Sequence, residues 1–145
     1  MTSPLIKQIT VQIENSPGKL STLSELLGEE HVNILGIAVS ETADFSVVRF
    51  IADFPDKAYN VLSSHNFMVR ITKVIAVEVP DHPGGLIAIM KPFKEHNINV
   101  HYLYAHLRKN HDNSIILMRV DDNEKALDVL KKNWVTILGE EVYSL

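Results

Sequence analysis

The chain has 145 residues, 46% of them hydrophobic and 22% charged, with a formal net charge of −4. That balance argues against a protein built to grip a phosphate backbone, which needs a clustered basic face. The absence of cysteine rules out disulfides, a thiol nucleophile and a Cys-based metal site.

Leu5 to Glu14 alternates apolar Ile9, Val11 and Ile13 with polar residues, the pattern of a half-buried strand. Asn15 to Gly18 turns the chain, with Ser16 suited to cap a helix and Pro17 to its first position. Leu20, Leu23, Leu26 and Leu27 follow at helical spacing, and Gly28 is placed to help end that helix. Val32 to Ser40 is apolar on both faces and reads as a buried strand; Phe45 to Phe54 returns as its hairpin partner. Pro55 opens a second helix with Ala58, Val61 and Leu62 inside, and Phe67 to Ile71 is a fourth strand.

The order then repeats almost without a linker. Lys73 to Val79 is a strand, Pro83 to Glu95 a helix, Asn97 to Leu107 a strand and Arg108 to Asn113 a polar turn. Ser114 to Val120 is a strand, Asn123 to Lys132 a helix and Trp134 to Leu138 a closing strand. Pro92 falls inside the predicted helix; an interior proline costs about 3 kcal/mol, so a kink or an end near Lys91 is expected.

The repetition reaches individual residues. Asn15-Ser16-Pro17-Gly18-Lys19-Leu20 returns 66 residues later as Asp81-His82-Pro83-Gly84-Gly85-Leu86, and Val32-Asn33-Ile34 returns at the same offset as Ile98-Asn99-Val100. Beyond that the offset becomes 68, matching Ser46-Val47-Val48 with Ser114-Ile115-Ile116 and Lys57-Ala58 with Lys125-Ala126. Two domains, residues 1–72 and 73–145, are expected. Each is small for independent stability, so the two should pack together, with a homodimer as the expected assembly.

The fold class is α+β: two ferredoxin-like βαββαβ units, each a four-stranded antiparallel sheet with two helices on one face. A strand, then Asn/Asp-x-Pro-Gly, a helix with Leu two residues after the glycine, and Val/Ile-Asn-Ile/Val opening the next strand resemble the ACT domain family. The resemblance covers nearly the whole chain twice, with no enzyme domain attached. It implies a non-catalytic regulatory protein that binds a small molecule, most simply an amino acid, where two domains meet.

The residues themselves support such chemistry. Unpaired N–H groups at a helix start and the partial positive charge there suit a carboxylate. Gly18 and Gly84 let a ligand approach the backbone, and Asn15 or Asp81 offers an acceptor to an ammonium group. Asn33 and Asn99 can add a donor and an acceptor. The candidate ligand-binding residues are therefore Asn15, Ser16, Pro17, Gly18, Lys19, Leu20, Asn33 and Ile34 in the first copy. In the second they are Asp81, His82, Pro83, Gly84, Gly85, Leu86, Asn99 and Val100. The carboxylate of Asp81 favours the second copy as the tighter amino-group binder. Turn chemistry alone accounts for the same residues if neither copy binds.

Other readings are weaker. His101 and His106 differ by five and point to opposite faces of a regular strand, so no metal is expected. Tyr102 and Tyr104 share a strand face but lack basic neighbours, which favours packing over nucleic-acid stacking. No nucleophile elbow, P-loop or HExxH spacing occurs, so no enzyme activity and no cofactor are expected. No signal peptide and no apolar run approaching the ~18 residues of a membrane span occurs, so a cytoplasmic protein without membrane contact is expected. The alternative function is an interaction module that regulates a partner enzyme without binding a metabolite.

Overall fold

A computed structural model describes residues 4–145. The chain divides into two compact units, one of Lys7–Thr72 and one of Lys73–Leu145 together with Leu5 and Ile6. The first unit contains most of β1 (Leu5–Glu14), α1 (Lys19–Glu29), β2 (Ile34–Glu41), β3 (Phe45–Ala52), α2 (Pro55–Ser64) and the start of β4 (Met68–Pro80). The second contains the rest of β4, then α3 (Ile87–Glu95), β5 (Val100–Ala105), β6 (Asn113–Val120), α4 (Asn123–Lys132) and β7 (Ile137–Leu138). A 3-10 helix, Glu140–Tyr143, occupies the C-terminal stretch that sequence patterning left unassigned.

The first unit has strand order β2-β3-β1-β4, and β3 pairs antiparallel with both neighbours. Ile9 and Val11 of β1 and Val48 and Phe50 of β3 share one face and meet Leu23, Leu27, Ala58 and Leu62 of the two helices. The second unit repeats this arrangement: β5-β6-β4, with β7 on the free side of β4. Its core joins Ile75 and Val77 to Met118, Ile89, Phe93, Ala126 and Leu130, and Leu5 packs against it. Both units are therefore ferredoxin-like, four antiparallel strands and two helices. Leu35 and Ile51 in one unit, and Val74, Ala76, Ile115 and Leu117 in the other, are buried outside these cores. That burial explains the strands that read as apolar on both faces.

The helix starts differ from expectation. Lys19 N–H donates to the Ser16 carbonyl at 3.5 Å, and Gly18 has φ +86°. This is a type II turn, proline at its second position and a left-handed residue at its third. Ser16 and Pro17 thus belong to the turn, and α1 begins only at Lys19. The same turn recurs at His82-Pro83-Gly84-Gly85, with a 3.0 Å bond from Gly85 N–H to the His82 carbonyl and Gly84 at φ +82°. Here α3 starts four residues later than predicted, at Ile87. A Cβ on Gly85 would collide with the carbonyl oxygen of Pro80. The loop folds too tightly against β4 for any other residue, which is why glycine stands where the first copy has Lys19.

The helix ends hold a second surprise. Gly28 lies inside α1 and does not end it. Each helix is followed by a left-handed residue other than glycine: His31, Asn66, Asn97 and Trp134, at φ +55° to +67°. The next residue closes the motif by donating its N–H to a carbonyl five residues back: Val32 to Leu27, Phe67 to Leu62, Ile98 to Phe93 and Val135 to Leu130. A left-handed backbone costs most L-residues about 1–2 kcal/mol, less for asparagine, whose side chain bonds locally. α3 also runs past Pro92 to Glu95 instead of ending near Lys91. The proline withholds one hydrogen bond, that to the Ala88 carbonyl, while its ring is buried next to Phe93.

Strand bounds also shifted. The expected fourth and fifth strands are one strand, β4, and the closing strand shrinks to Ile137–Leu138 because Trp134 is the left-handed stop of α4. Beyond β5, His106 is 6% exposed. Its Nδ1 accepts from Arg108 N–H at 3.0 Å, so Nε2–H donates to the Val142 carbonyl, also at 3.0 Å. The neutral imidazole ties the end of β5 to the 3-10 helix. No helix among the described residues is long and apolar enough to cross a membrane.

Two predictions follow from these contacts. Gly85→Ala should lower unfolding stability by about 2 kcal/mol or more, because backbone must move. Gly18→Ala, with positive φ but open space, should cost only about 1 kcal/mol; equal urea midpoints for the two variants would refute the contact. Burial, against the opposing pull of its backbone bonds, holds the His106 imidazole below its ordinary pKa. Below about 6.5 the unfolded chain takes up a proton that the folded chain resists. Stability should therefore fall as pH drops from 6.5 toward the depressed folded value, and His106→Gln should flatten that slope in denaturation series at successive pH values.

Candidate functional site

Each Pro-Gly turn links the end of a first strand to a first helix, and each lies beside a hairpin loop of its own unit. At the first turn, Asn15 N–H donates to the Asp44 carbonyl at 3.4 Å and Asn15 Nδ2 donates to Glu41 Oε2 at 3.2 Å. Gly18 has no side chain to cap α1, so no side-chain bond satisfies the N–H groups at that helix start. An open cleft of about 460 Å³ adjoins the turn, lined by Asn15, Ser16, Leu20, Val39 and Glu41 among others.

At the second turn, Asp81 pairs with the ammonium of Lys109. The hydrogen bond and charge of Lys109 hold the Asp81 carboxyl below its usual range, and Asp81 in turn raises the Lys109 ammonium. The carboxylate singled out as an ammonium receptor thus already has a cation beside it. His82 turns back on the loop, its Nδ1 2.9 Å from the Pro83 carbonyl oxygen. Leu20 and Leu86 are both partly exposed, as is Ile87 next to the second turn.

Asn33 and Asn99 each take part in a local backbone clasp at the start of the second strand. Asn33 N–H donates to Asp53 Oδ1 at 2.8 Å, and Asp53 N–H returns to the Asn33 carbonyl at 3.1 Å. Asn99 and Asp121 repeat the exchange at 3.2 and 3.1 Å. The clasp sits where both hairpins carry a register shift, between Ile34 and Gly36 and between Val100 and Tyr102. It uses the backbone of each asparagine and leaves the exposed amide uncommitted to it.

The four partners that reasoning from sequence overlooked are themselves repeat-related: Glu41 with Lys109, and Asp53 with Asp121, each at the offset of 68. Aligning all acids and bases at that offset would have found them. The pair at each turn has exchanged its chemistry between copies, from amide and carboxylate to carboxylate and ammonium.

Tyr102 and Tyr104 stack on each other, ring centres 6.5 Å apart and planes 22° apart. Among the described residues no group of three or more His, Asp or Glu side chains is placed to hold a metal ion.

Comparison with known proteins places this geometry. A family model described as an ACT domain pair matches residues 4–144. No curated protein sequence matches the chain. Among solved structures, a protein from Bacteroides thetaiotaomicron is 30% identical with a TM-score of 0.91, over 99% of this chain and 100% of that one. The ligand-free regulatory subunit of aspartate kinase from Thermus thermophilus is similar in fold, with TM-score 0.60 and 15% identity over 89% and 93% of the two chains. The corresponding subunit from Thermus flavus gives 0.57 and 12% over 88% and 92%. Two βαββαβ units, each with a Pro-Gly turn before its first helix, and a family match spanning almost the full length together establish that the chain belongs to the ACT domain pair family.

Proposed function

We propose that this ACT domain pair is a non-catalytic regulatory protein whose ligand is a free amino acid, held at the Pro-Gly turns where ACT domains meet. The observation that carries the reading is the first turn. An α-carboxylate can lie at the uncapped start of α1, which offers unpaired N–H groups and a partial positive charge. The ammonium can lie at Glu41, already oriented by Asn15. The cleft between them, about 460 Å³, takes the side chain against Leu20 and Val39.

The first turn is the better candidate for the amino group, although the Asp81 carboxylate had favoured the second copy. A ligand ammonium at the second turn would have to displace Lys109 from Asp81, whereas Glu41 accepts from the neutral amide of Asn15. The first turn is therefore the amino-group site. Regulation requires only that the ligand bind one association state better than another. A homodimer, and through it an enzyme partner, is the natural receiver of that signal.

Thermal-shift measurements with each of the twenty amino acids test this. One or a few should raise the melting temperature; at 100 times the dissociation constant the stabilisation is about 2.7 kcal/mol. Glu41→Gln should weaken calorimetric affinity by about tenfold or more, as expected for loss of a charge-assisted bond. Asp81→Asn should change it by less than about threefold. No shift with any amino acid at millimolar concentration would favour the interaction module that binds no metabolite.

A further inference from the structure

Ser46, the second residue of β3, is only 8% exposed. Its backbone stands directly across from Ile13 of β1 on one side and from Glu41 of β2 on the other. Alternate residues of a strand share a face, so Ser46 points the same way as Val48 and Phe50, toward the helices. Its cross-strand neighbours agree. Ile13 belongs to the helix-side core, and Glu41 follows Ile37 and Val39 along the same face of β2. The pattern of β3 calls for another apolar residue at this place, and a serine stands there instead.

The Ser46 hydroxyl has no hydrogen-bond partner among the described residues. Burying a hydroxyl without a partner opposes folding, so the strand alone gives no reason for it. The hydroxyl is also not sealed in. Among the described residues only Asn123 Oδ1 is both unpartnered and closed off from solvent. Ser46 therefore opens onto the cleft of about 460 Å³ that it lines beside the first turn. Ile13, Leu20 and Val39 make the apolar wall around it, and the charged groups on that wall, Glu14 and Glu41, are both carboxylates.

We infer that Ser46 selects the side chain of the ligand, and that the ligand is an α-amino acid carrying a neutral hydroxyl or amide. This rests on the amino-acid reading of the first turn. Residues directly opposite in a ladder hold their side chains next to each other. An ammonium bound to Glu41 thus brings the ligand's own side chain beside the Ser46 hydroxyl. A hydroxyl or amide there completes the bond that the protein leaves open. An aliphatic side chain of the same shape would cover the hydroxyl and leave it unpaired, which is the costly case. An acidic side chain would meet two carboxylates. The second unit does not repeat the arrangement: Ser114 is the counterpart of Ser46, but Lys109 stands where Glu41 does.

Matched pairs of amino acids test the inference: serine against alanine, threonine against valine, asparagine against leucine. Each is measured by calorimetry on the wild-type chain and on Ser46→Ala. For at least one pair the polar member should bind the wild type at least about fivefold more tightly, the worth of one neutral hydrogen bond. In Ser46→Ala that ratio should fall to within about twofold, through lost affinity for the polar member. A serine that merely supports the strand would weaken both members alike and leave the ratio unchanged. The inference is overturned if the ratio survives the substitution, or if the aliphatic members bind the wild type as well as the polar ones. It is also overturned if lysine or arginine, whose cation Glu14 would take, or an acidic amino acid binds more tightly than every neutral polar one. In each of those cases the turn site still stands. If no amino acid binds at millimolar concentration, the reading of the turn fails and this one with it.

Discussion

A proline followed by a left-handed glycine reverses the chain before the first helix of each unit, and the rest of each unit is arranged around that reversal. Pro17 and Pro83 fix φ near −65° at the second turn position, and Gly18 and Gly84 accept the positive φ that must follow. The turn delays the helix, leaves its first N–H groups without a side-chain cap in both copies, and brings the preceding polar residue to the hairpin loop. In the first copy a helix start that side-chain capping would have sealed is thereby left without a cap.

The second copy shows what happens when such a turn is inherited and then altered. Replacing Asn15 by Asp81 would have set two acids together had Glu41 been kept; instead Lys109 stands in its place. Gly85 in place of Lys19 let the loop close onto Pro80, and the first helix of the second unit starts two residues later than its counterpart. Each change is locally compensated, so the fold is shared while the surface chemistry is not. The asparagine–aspartate clasp before the second strand is the same in both copies, because it serves the backbone.

Much of this was legible in the sequence. Ile9, Val11 and Ile13 at period two, and Leu20, Leu23 and Leu27 at helical spacing, determine which face of each element is apolar; packing then leaves little choice. The repeat supplied the topology, since a unit seen twice in the same order must be folded twice in the same way. The places where reading failed are those where backbone conformation overrides residue preference. Ser16 is a good cap by composition, but the glycine two residues later takes the cap position in a left-handed backbone. Gly28 looks like a stop, yet His31 performs that task. Trp134 looks like the start of a strand, and no propensity would place it at φ +61°. Glu41 and Lys109 escaped notice because their partners lie 26 and 28 residues away, beyond any local pattern.

The unbroken strand β4 bears on how such a protein can change over generations. Thirteen residues from Met68 to Pro80 finish one repeat and open the next, and Leu5, from the very start of the chain, packs on the core of the second. A gene for either half, cut at the seam, would lack a piece that now serves the other. The duplication has become hereditary in a strict sense: recombination can lengthen or replace the pair as a whole, but it no longer has a clean junction at which to return to a single domain. Divergence of the two surfaces within the pair is then the route left open to selection.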